Sequence, residues 1–181
     1  MVLHVFNTLS RKKEEFASLH EKKVGMYSCG PTVYNYPHIG NYRAYVFSDL
    51  LKRYLVSKGF KVNHVMNLTD VDDKTIRDSR KEGVSLREFT SRYAEAFFED
   101  LDMLRITDAN TFCKATDYIP EMIALVEGLL KKGLAYKGED GSVYYKVAGF
   151  PSYGKLAHLN VADLQTGASG RVKADEYTKD D

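Results

Sequence analysis

The sequence has 181 residues, of which 44% are hydrophobic and 28% charged, and its formal net charge is +1. This composition is that of one globular domain, or of one domain with an appendage, and it excludes a chain-wide basic surface for nucleic acid. Two cysteines are too few for a disulfide framework. No segment resembles a signal peptide or reaches the ~20 apolar residues of a membrane span, so we expect a cytoplasmic protein with no membrane partner.

The first hundred residues predict strands that alternate with helices. Strands are expected at Val2–Phe6, from Val24 to Ser28 and over Lys61–Leu68. A helical pattern runs from Asn41 to about Ser57, between the second and third of these strands. Strand, loop, helix and strand form a βαβ unit with parallel strands. The predicted fold class is therefore α/β, as half of a doubly wound domain.

Three helices are expected in this part of the chain. In the first, Lys52 lies off the apolar face, which comprises Phe47, Leu50, Leu51, Tyr54 and Leu55. The segment from Thr69 to Asp72 fits a capping box that opens the second helix. Ser85 caps a third, amphipathic helix that extends to about Leu104.

The pattern changes after Arg105. A further helix is expected over Tyr118–Lys132, followed by a hairpin from Leu134 to Val147 that turns at Asp140-Gly141. The tail from Gly170 to Asp181 has no apolar periodicity. A parallel sheet of this kind usually has four or five strands, and the first hundred residues supply about three. We therefore expect that the chain is a fragment of a longer protein.

The loop from Tyr27 to Asn41 joins a strand to a helix, which is where an α/β protein places its ligand. A helix N-terminus near His38 favours a bound phosphate, and Gly40 would let a nucleotide approach the backbone. His38 can donate a hydrogen bond to phosphate oxygens. The alternative is an ordinary capped helix start with Asn41 as the N-cap, and the residues alone give both interpretations equal weight.

Cys29 ends the strand that enters this loop. A lone cysteine is most often a small buried hydrophobe, and a metal site would need three further ligands that the composition does not identify. Cys113 is interpreted as a core residue. Asp70, Asp72 and Asp73 could bind magnesium, but the favoured interpretation is charge that stabilises the first turn of a helix.

Four motifs carry a resemblance to a known family. They are Cys-Gly-Pro-Thr-Val-Tyr from Cys29, His-Ile-Gly-Asn from His38, Asn-Leu-Thr-Asp-Val-Asp-Asp-Lys from Asn67 and Tyr-Gly-Lys-Leu from Tyr153. Together they resemble the cysteinyl-tRNA synthetases, which are class I aminoacyl-tRNA synthetases. The resemblance spans nearly the whole chain, and the combination of the first two motifs is its most specific part.

The resemblance implies a Rossmann-type catalytic domain whose first half is residues 1–109. Residues 110–181 would be an α+β insertion, and the chain would end before the second half. The family activates cysteine with ATP and magnesium to form cysteinyl-AMP. It then transfers the cysteinyl group to tRNA(Cys).

The resemblance also implies roles for individual residues. His38 would be catalytic and would bind ATP together with Gly40 and Asn41, although the family usually has histidine at the position of Asn41. Cys29 would be one ligand of a zinc ion that binds the substrate sulfur, with the remaining ligands and a lysine-containing ATP loop downstream of this chain. The substrate-binding positions would be Gly30, Thr32 and Thr69.

Two other functions remain open at this stage. One is a related cysteine:glucosaminyl-inositol ligase of mycothiol synthesis, which shares the adenylation half but joins cysteine to an amine. The other is a non-catalytic paralogue that binds a nucleotide or a partner protein. The intact His38-Ile39-Gly40 element weighs against this second alternative.

Overall fold

The structure, a computed structural model, describes residues 2–159. These residues fall into two compact units, one of residues 18–119 and one of residues 2–17 together with residues 120–159. In chain order the strands and helices are β1 His4–Asn7, β2 Lys12–Glu15, β3 Lys23–Ser28, α1 Ile39–Ser57, β4 Lys61–Leu68, α2 Asp73–Glu82, α3 Leu86–Met103, β5 Thr111–Lys114, α4 Ile119–Lys131, β6 Ala135–Lys137 and β7 Val143–Tyr145.

Strands β3, β4 and β5 form a parallel sheet with β4 in the centre. Helix α1 connects β3 to β4, so the predicted βαβ unit is confirmed. The sequence patterns did not predict β5, which lies within the expected insertion of residues 110–181. That division of the chain stays a prediction, and residues 160–181 lie outside the described range.

One face of the sheet carries the core of this unit. On β4 the side chains of His64, Met66 and Leu68 are buried, while those of Asn63 and Asn67 on the other face are not. Residues of α1, α3 and the loop after β3 pack on the buried face. The buried cluster comprises Val33, Tyr42, Tyr45, Met66, Leu68, Ala94, Phe97 and Leu101.

Helix α1 packs through a face that the apolar pattern predicted only in part. Its buried residues are Tyr42, Tyr45, Lys52 and Leu55, whereas Phe47 is 65% exposed and Leu50 is 64% exposed. The prediction is confirmed for Leu55 and wrong for Phe47 and Leu50, because the rings of Tyr42 and Tyr45 form the contact with the core. The buried Lys52 ammonium donates a hydrogen bond to the backbone oxygen of Asp108, which offsets part of the cost of burying it.

Helices α2 and α3 begin at polar N-caps. The capping box of α2 is formed by Asp72 and Thr75, so the predicted box at residues 69–72 was placed too early. The Asp72 carboxylate accepts from the backbone N of Lys74 at 2.9 Å, and the backbone N of Asp72 donates to Thr75 Oγ1 at 2.8 Å. The predicted cap of α3 is confirmed, because Ser85 Oγ accepts from the backbone N of Glu88.

The second unit contains two hairpins and helix α4. Strands β1 and β2 pair antiparallel; the first was expected and the second, Lys-Lys-Glu-Glu, was not. Helix α4 is followed by Gly133 at φ 68°, and the expected hairpin of β6 and β7 is confirmed. In its turn the Asp140 carboxylate accepts from the backbone N of Ser142 at 2.9 Å. Among residues 2–159, no helix is both long enough and apolar enough to cross a membrane.

Candidate active site

The loop after β3 is tied to the carboxyl end of β4. The backbone N of Thr69 donates to the oxygen of Pro31 at 3.0 Å, and the backbone N of Val33 donates to the oxygen of Thr69 at 3.1 Å. These bonds form a parallel bridge between Thr32 and Thr69. Two of the three predicted substrate-binding residues therefore lie side by side at the edge where parallel-sheet proteins bind ligands.

Gly30, the third predicted substrate-binding residue, lies too close to β4 to be replaced. A Cβ atom at this position would lie 1.8 Å from the backbone oxygen of Asn67. The Gly30 backbone N donates to Asn67 Oδ1 at 2.9 Å. Only a residue without a side chain lets the loop approach β4 this closely.

The side chain of Asn67 joins three residues of this site, although sequence reasoning did not single it out as a site residue. Besides Gly30, its Oδ1 accepts from the Tyr27 hydroxyl at 2.9 Å, and its Nδ2 donates to Thr69 Oγ1 at 2.9 Å. The sequence contained one signal for it, since a side-chain amide at the carboxyl end of a central parallel strand faces the ligand edge.

Cys29 presents its thiol to solvent at the end of β3. The residue is exposed, and its Sγ lies 3.5 Å from the backbone oxygen of Gly30. The interpretation as a buried hydrophobe is therefore wrong. Cys113, interpreted as core, is half-buried on β5 opposite Asn67, and both cysteines are free.

The thiol of Cys29 fits a metal as a single soft donor. Within the described part of the chain, no group of three or more histidine, cysteine or acidic side chains is arranged to hold an ion. A zinc ion would need nitrogen, oxygen or further sulfur ligands from outside these residues.

His38 and Asn41 form a reciprocal cap at the start of α1. His38 Nδ1 accepts from the backbone N of Gly40 at 3.0 Å, and Asn41 Oδ1 accepts from the backbone N of His38 at 3.0 Å. The N-cap is thus His38, not Asn41 as the sequence suggested, and the helix begins at Ile39. Because Nδ1 accepts a hydrogen bond, it carries no proton, and the proton of the ring lies on Nε2.

Gly40 provides the space that the His38 ring occupies. A Cβ atom at position 40 would lie 2.8 Å from His38 Cε1 and 3.0 Å from its Nδ1. The glycine is therefore required by the histidine of the same motif, a reason that the sequence did not indicate.

Two buried tyrosines lie in the first turns of α1. Burial, with a smaller contribution from the charge of Cys29, raises the pKa of Tyr45 to about 12. Burial and a hydrogen bond to the Asp100 carboxylate raise the pKa of Tyr42 further. Both phenols therefore stay protonated at neutral pH, and they fix the start of α1 against the core.

The middle of the loop is held by aromatic contacts. The Tyr36 ring packs edge-on against Tyr93 of α3, with ring centroids 5.2 Å apart. The Lys74 ammonium lies 4.7 Å from the centroid of the Tyr34 ring. These contacts link the loop to α2 and α3, so the segment between Cys29 and His38 is anchored.

The acidic cluster after β4 has structural roles. Asp70 is buried and accepts from the backbone N and the hydroxyl of Thr116, at 2.9 and 2.6 Å. Asp72 caps α2 and Asp73 lies in its first turn. The interpretation as helix-stabilising charge is confirmed for these last two residues, whereas Asp70 holds the segment that follows β5.

Comparison with known proteins gives consistent matches over most of the chain. A family model described as tRNA synthetases class I (C) catalytic domain matches residues 15–181. Cysteine–tRNA ligase of Protochlamydia amoebophila is 53% identical over 178 residues, which cover 98% of this chain and 37% of that protein. The ligase of Brachyspira hyodysenteriae is 55% identical over 175 residues, covering 97% of this chain and 37% of that protein.

A third relative, cysteine–tRNA ligase of Methanosarcina mazei, is 52% identical over 179 residues, covering 99% of this chain and 37% of that protein. The chain thus spans 37% of the length of these relatives. Among solved structures, LeuRS of Agrobacterium radiobacter K84, in a ternary complex with tRNA and LeuAMS, aligns with a TM-score of 0.55 at 24% identity. The aligned region covers 62% of this chain and 15% of the LeuRS chain.

This structural likeness confirms the predicted fold class, an α/β arrangement around a Rossmann-type parallel sheet. The family model covers 167 residues, from 15 to 181, which is far more than half of the chain. The chain therefore belongs to the family of class I (C) tRNA synthetase catalytic domains.

Proposed function

We propose that this chain carries the first half of the catalytic site of a cysteine–tRNA ligase. The complete enzyme would activate cysteine with ATP to cysteinyl-AMP and transfer the cysteinyl group to tRNA(Cys) in the cytoplasm. The observation that carries the proposal is the loop after β3. It presents an exposed thiol at Cys29, a backbone cradle at Gly30 and a histidine-capped helix start at His38.

The helix start is proposed as the ATP side of the site. The Gly40 N–H at this helix start donates to His38 Nδ1, so the features that favour phosphate here are the positive end of the helix dipole and the Nε2–H of His38. Gly40 keeps the ring in place, and Asn41 holds the backbone of His38. Adenylation is an in-line attack by a carboxylate on the α-phosphate of magnesium-bound ATP, so positioning and charge stabilisation supply most of the catalysis.

The other end of the loop is proposed as the amino-acid side. Gly30, Thr32 and Thr69 line the place where loop and β4 meet. Cys29 would supply one thiolate to a zinc ion. Zinc is a borderline-soft Lewis acid that would bind a substrate thiolate in preference to a hydroxyl. Such a preference lets a site reject serine without an editing step.

The experiment that tests this proposal is ATP–pyrophosphate exchange with the purified full-length protein. We expect exchange with cysteine to exceed exchange with serine by at least about a hundredfold. Adding tRNA(Cys) or the amino-sugar acceptor of mycothiol synthesis then separates the two ligases. A well-folded protein that shows no exchange with any amino acid would contradict the proposal and would favour the non-catalytic paralogue.

A further inference from the structure

The parallel pairing of β3 and β4 is interrupted at the proposed amino-acid site. Ser28 lies opposite Met66, and the pairing resumes where Thr32 lies opposite Thr69. Between these points the loop advances four residues while β4 advances three. One extra residue on one strand is a bulge, a device that redirects a side chain and leaves a ladder position unpaired.

The side chain of Asn67 fills this gap in the ladder. Its Oδ1 accepts from the backbone N of Gly30 at 2.9 Å, where a regular ladder would offer a backbone carbonyl. Since a backbone N–H can only donate, this bond also fixes which end of the amide faces the loop. Cys29, immediately before the bonded amide, is left exposed.

The same amide determines whether two neighbouring hydroxyls, those of Tyr27 and Thr69, can donate a hydrogen bond to a ligand or accept one from it. The Tyr27 O–H donates to Oδ1, so the remaining capacity of its oxygen is to accept. Thr69 Oγ1 accepts from Nδ2, so its own proton is available for donation. Tyr27 is 67% exposed and lies on the same face of the sheet as Asn67, so its oxygen is accessible to a ligand.

We infer that Asn67 is the positioning residue of the amino-acid site: it holds the Cys29–Gly30 bulge and orients Tyr27 as an acceptor and Thr69 as a donor. This pattern complements an α-amino acid, because its ammonium group can only donate and its carboxylate can only accept. The inference rests on the proposed function for the identity of the ligand. Its geometric part concerns only the described residues.

The test compares Asn67→Ala with Asn63→Ala in the full-length protein. Asn63 lies on the same face of β4, four residues earlier, and is exposed. We expect Asn67→Ala to accelerate hydrogen exchange at the Gly30 amide by at least about tenfold, whereas Asn63→Ala leaves it unchanged. Equal amide exchange in the two variants would overturn the positioning role.

The kinetic arm separates positioning from a general structural role. In ATP–pyrophosphate exchange, Asn67→Ala should raise KM for cysteine at least about tenfold and change KM for ATP less than about twofold. Equal increases for both substrates would overturn the inference. Absence of exchange in the wild-type protein would remove the proposed function, but the amide measurement would still decide whether Asn67 holds the bulge.

A second variant tests the orientation of Thr69. Asn67→Asp retains an acceptor for Gly30 and Tyr27 but obliges the Thr69 hydroxyl to donate to the new carboxylate. Gly30 amide exchange should stay at the wild-type rate while KM for cysteine rises. Asn63→Asp introduces the same charge on the same face and should leave KM unchanged. Wild-type kinetics in Asn67→Asp would overturn the proposed role of Thr69 as a donor.

Discussion

The ring of His38 lies so close to Gly40 that a Cβ atom at position 40 would come within 2.8 Å of its Cε1 and 3.0 Å of its Nδ1. The position of the His38 ring thus requires a residue without a side chain at position 40. The phosphate-site interpretation and the capped-helix interpretation of the motif are therefore compatible. His38 Nδ1 caps the helix, and Nε2 remains available to a ligand.

The first prediction concerns Gly40→Ala. The added Cβ displaces the His38 ring, so we expect a clear fall in ATP–pyrophosphate exchange. The lost cap costs about 1 kcal/mol, but the higher helix propensity of alanine offsets it, so the free energy of unfolding should change little. Gly25→Ala is the matched control, because nothing lies within 4 Å of a Cβ at that position. An unchanged exchange rate in Gly40→Ala would show that the His38 ring need not occupy its observed position.

A second prediction separates the two functions of His38. His38→Asn supplies a side-chain oxygen that can accept from the helix N–H groups, so the free energy of unfolding should change by less than about 0.5 kcal/mol. It lacks the Nε2–H donor, and exchange should therefore fall about a hundredfold.

Cysteine binding to His38→Asn, measured by isothermal titration, should change far less than the exchange rate. His38→Ala should lose both the cap and the donor, which provides the comparison. Equal losses of cysteine binding and exchange in His38→Asn would contradict a role at the phosphates.

The third prediction concerns Gly30→Ala. A Cβ atom 1.8 Å from the Asn67 backbone oxygen cannot be accommodated without moving the loop. We expect the free energy of unfolding to fall by about 2–3 kcal/mol, measured by urea denaturation. Gly25→Ala on β3 should cost much less, since its Cβ meets open space. Equal costs in the two variants would contradict the close approach of loop and strand.

Sequence reasoning predicted a ligand loop after β3 because the signals for such a loop are local. Glycines, prolines and a histidine between a strand and a helix predict a ligand loop from neighbouring residues alone. It missed Asn67 because the partners of this amide, Tyr27 and Gly30, lie 40 and 37 residues away in the chain. Nothing in the immediate surroundings of Asn67 indicates those contacts.

The same distinction explains the errors in the fold. The βαβ unit was predicted from periodicity, but β2 consists of four charged residues that form a strand only through pairing with β1. In α1 the apolar pattern selected Leu55 correctly but also Phe47 and Leu50, which are exposed, while the structure buries Lys52. A lysine can be buried when a carbonyl such as that of Asp108 accepts a hydrogen bond from its ammonium group, and the sequence does not show that partner.

A fourth prediction concerns the pH dependence of stability. Burial lowers the pKa of His64 from its ordinary 6.5; the Lys52 ammonium lowers it further, while Asp49 opposes the shift. His64 Nε2 lies 2.7 Å from Ser28 Oγ, and the ring is 2% exposed, so protonation would place an additional charge in the core.

Because the unfolded chain binds this proton more tightly, the stabilisation is present above about pH 6.5 and is lost as the pH falls through the lower pKa of the folded state. Urea denaturation at a series of pH values should show this decline, and His64→Gln should reduce it. The exposed His4→Gln variant should retain the wild-type slope. An identical decline in His64→Gln would contradict the assignment.

The fifth prediction concerns zinc. The isolated chain of 181 residues should bind zinc weakly or not at all, because Cys29 is a single donor and residues 2–159 contain no group of three possible ligands. In the full-length protein, Cys29→Ala should weaken zinc binding in a chelator competition, whereas Cys113→Ala should not. Tight, stoichiometric zinc on the isolated chain would contradict this account of the ligand set.

The measurement that tests the central claim most directly is the transfer of radiolabelled cysteine to tRNA(Cys) by the full-length protein in the presence of ATP. We expect label on the 3′ end of the tRNA with wild-type protein. With His38→Asn, which keeps the helix cap, we expect about a hundredfold less. Wild-type rates in the His38 variant, or no transfer by a folded wild-type protein, would contradict the claim that the loop after β3 is the activation site.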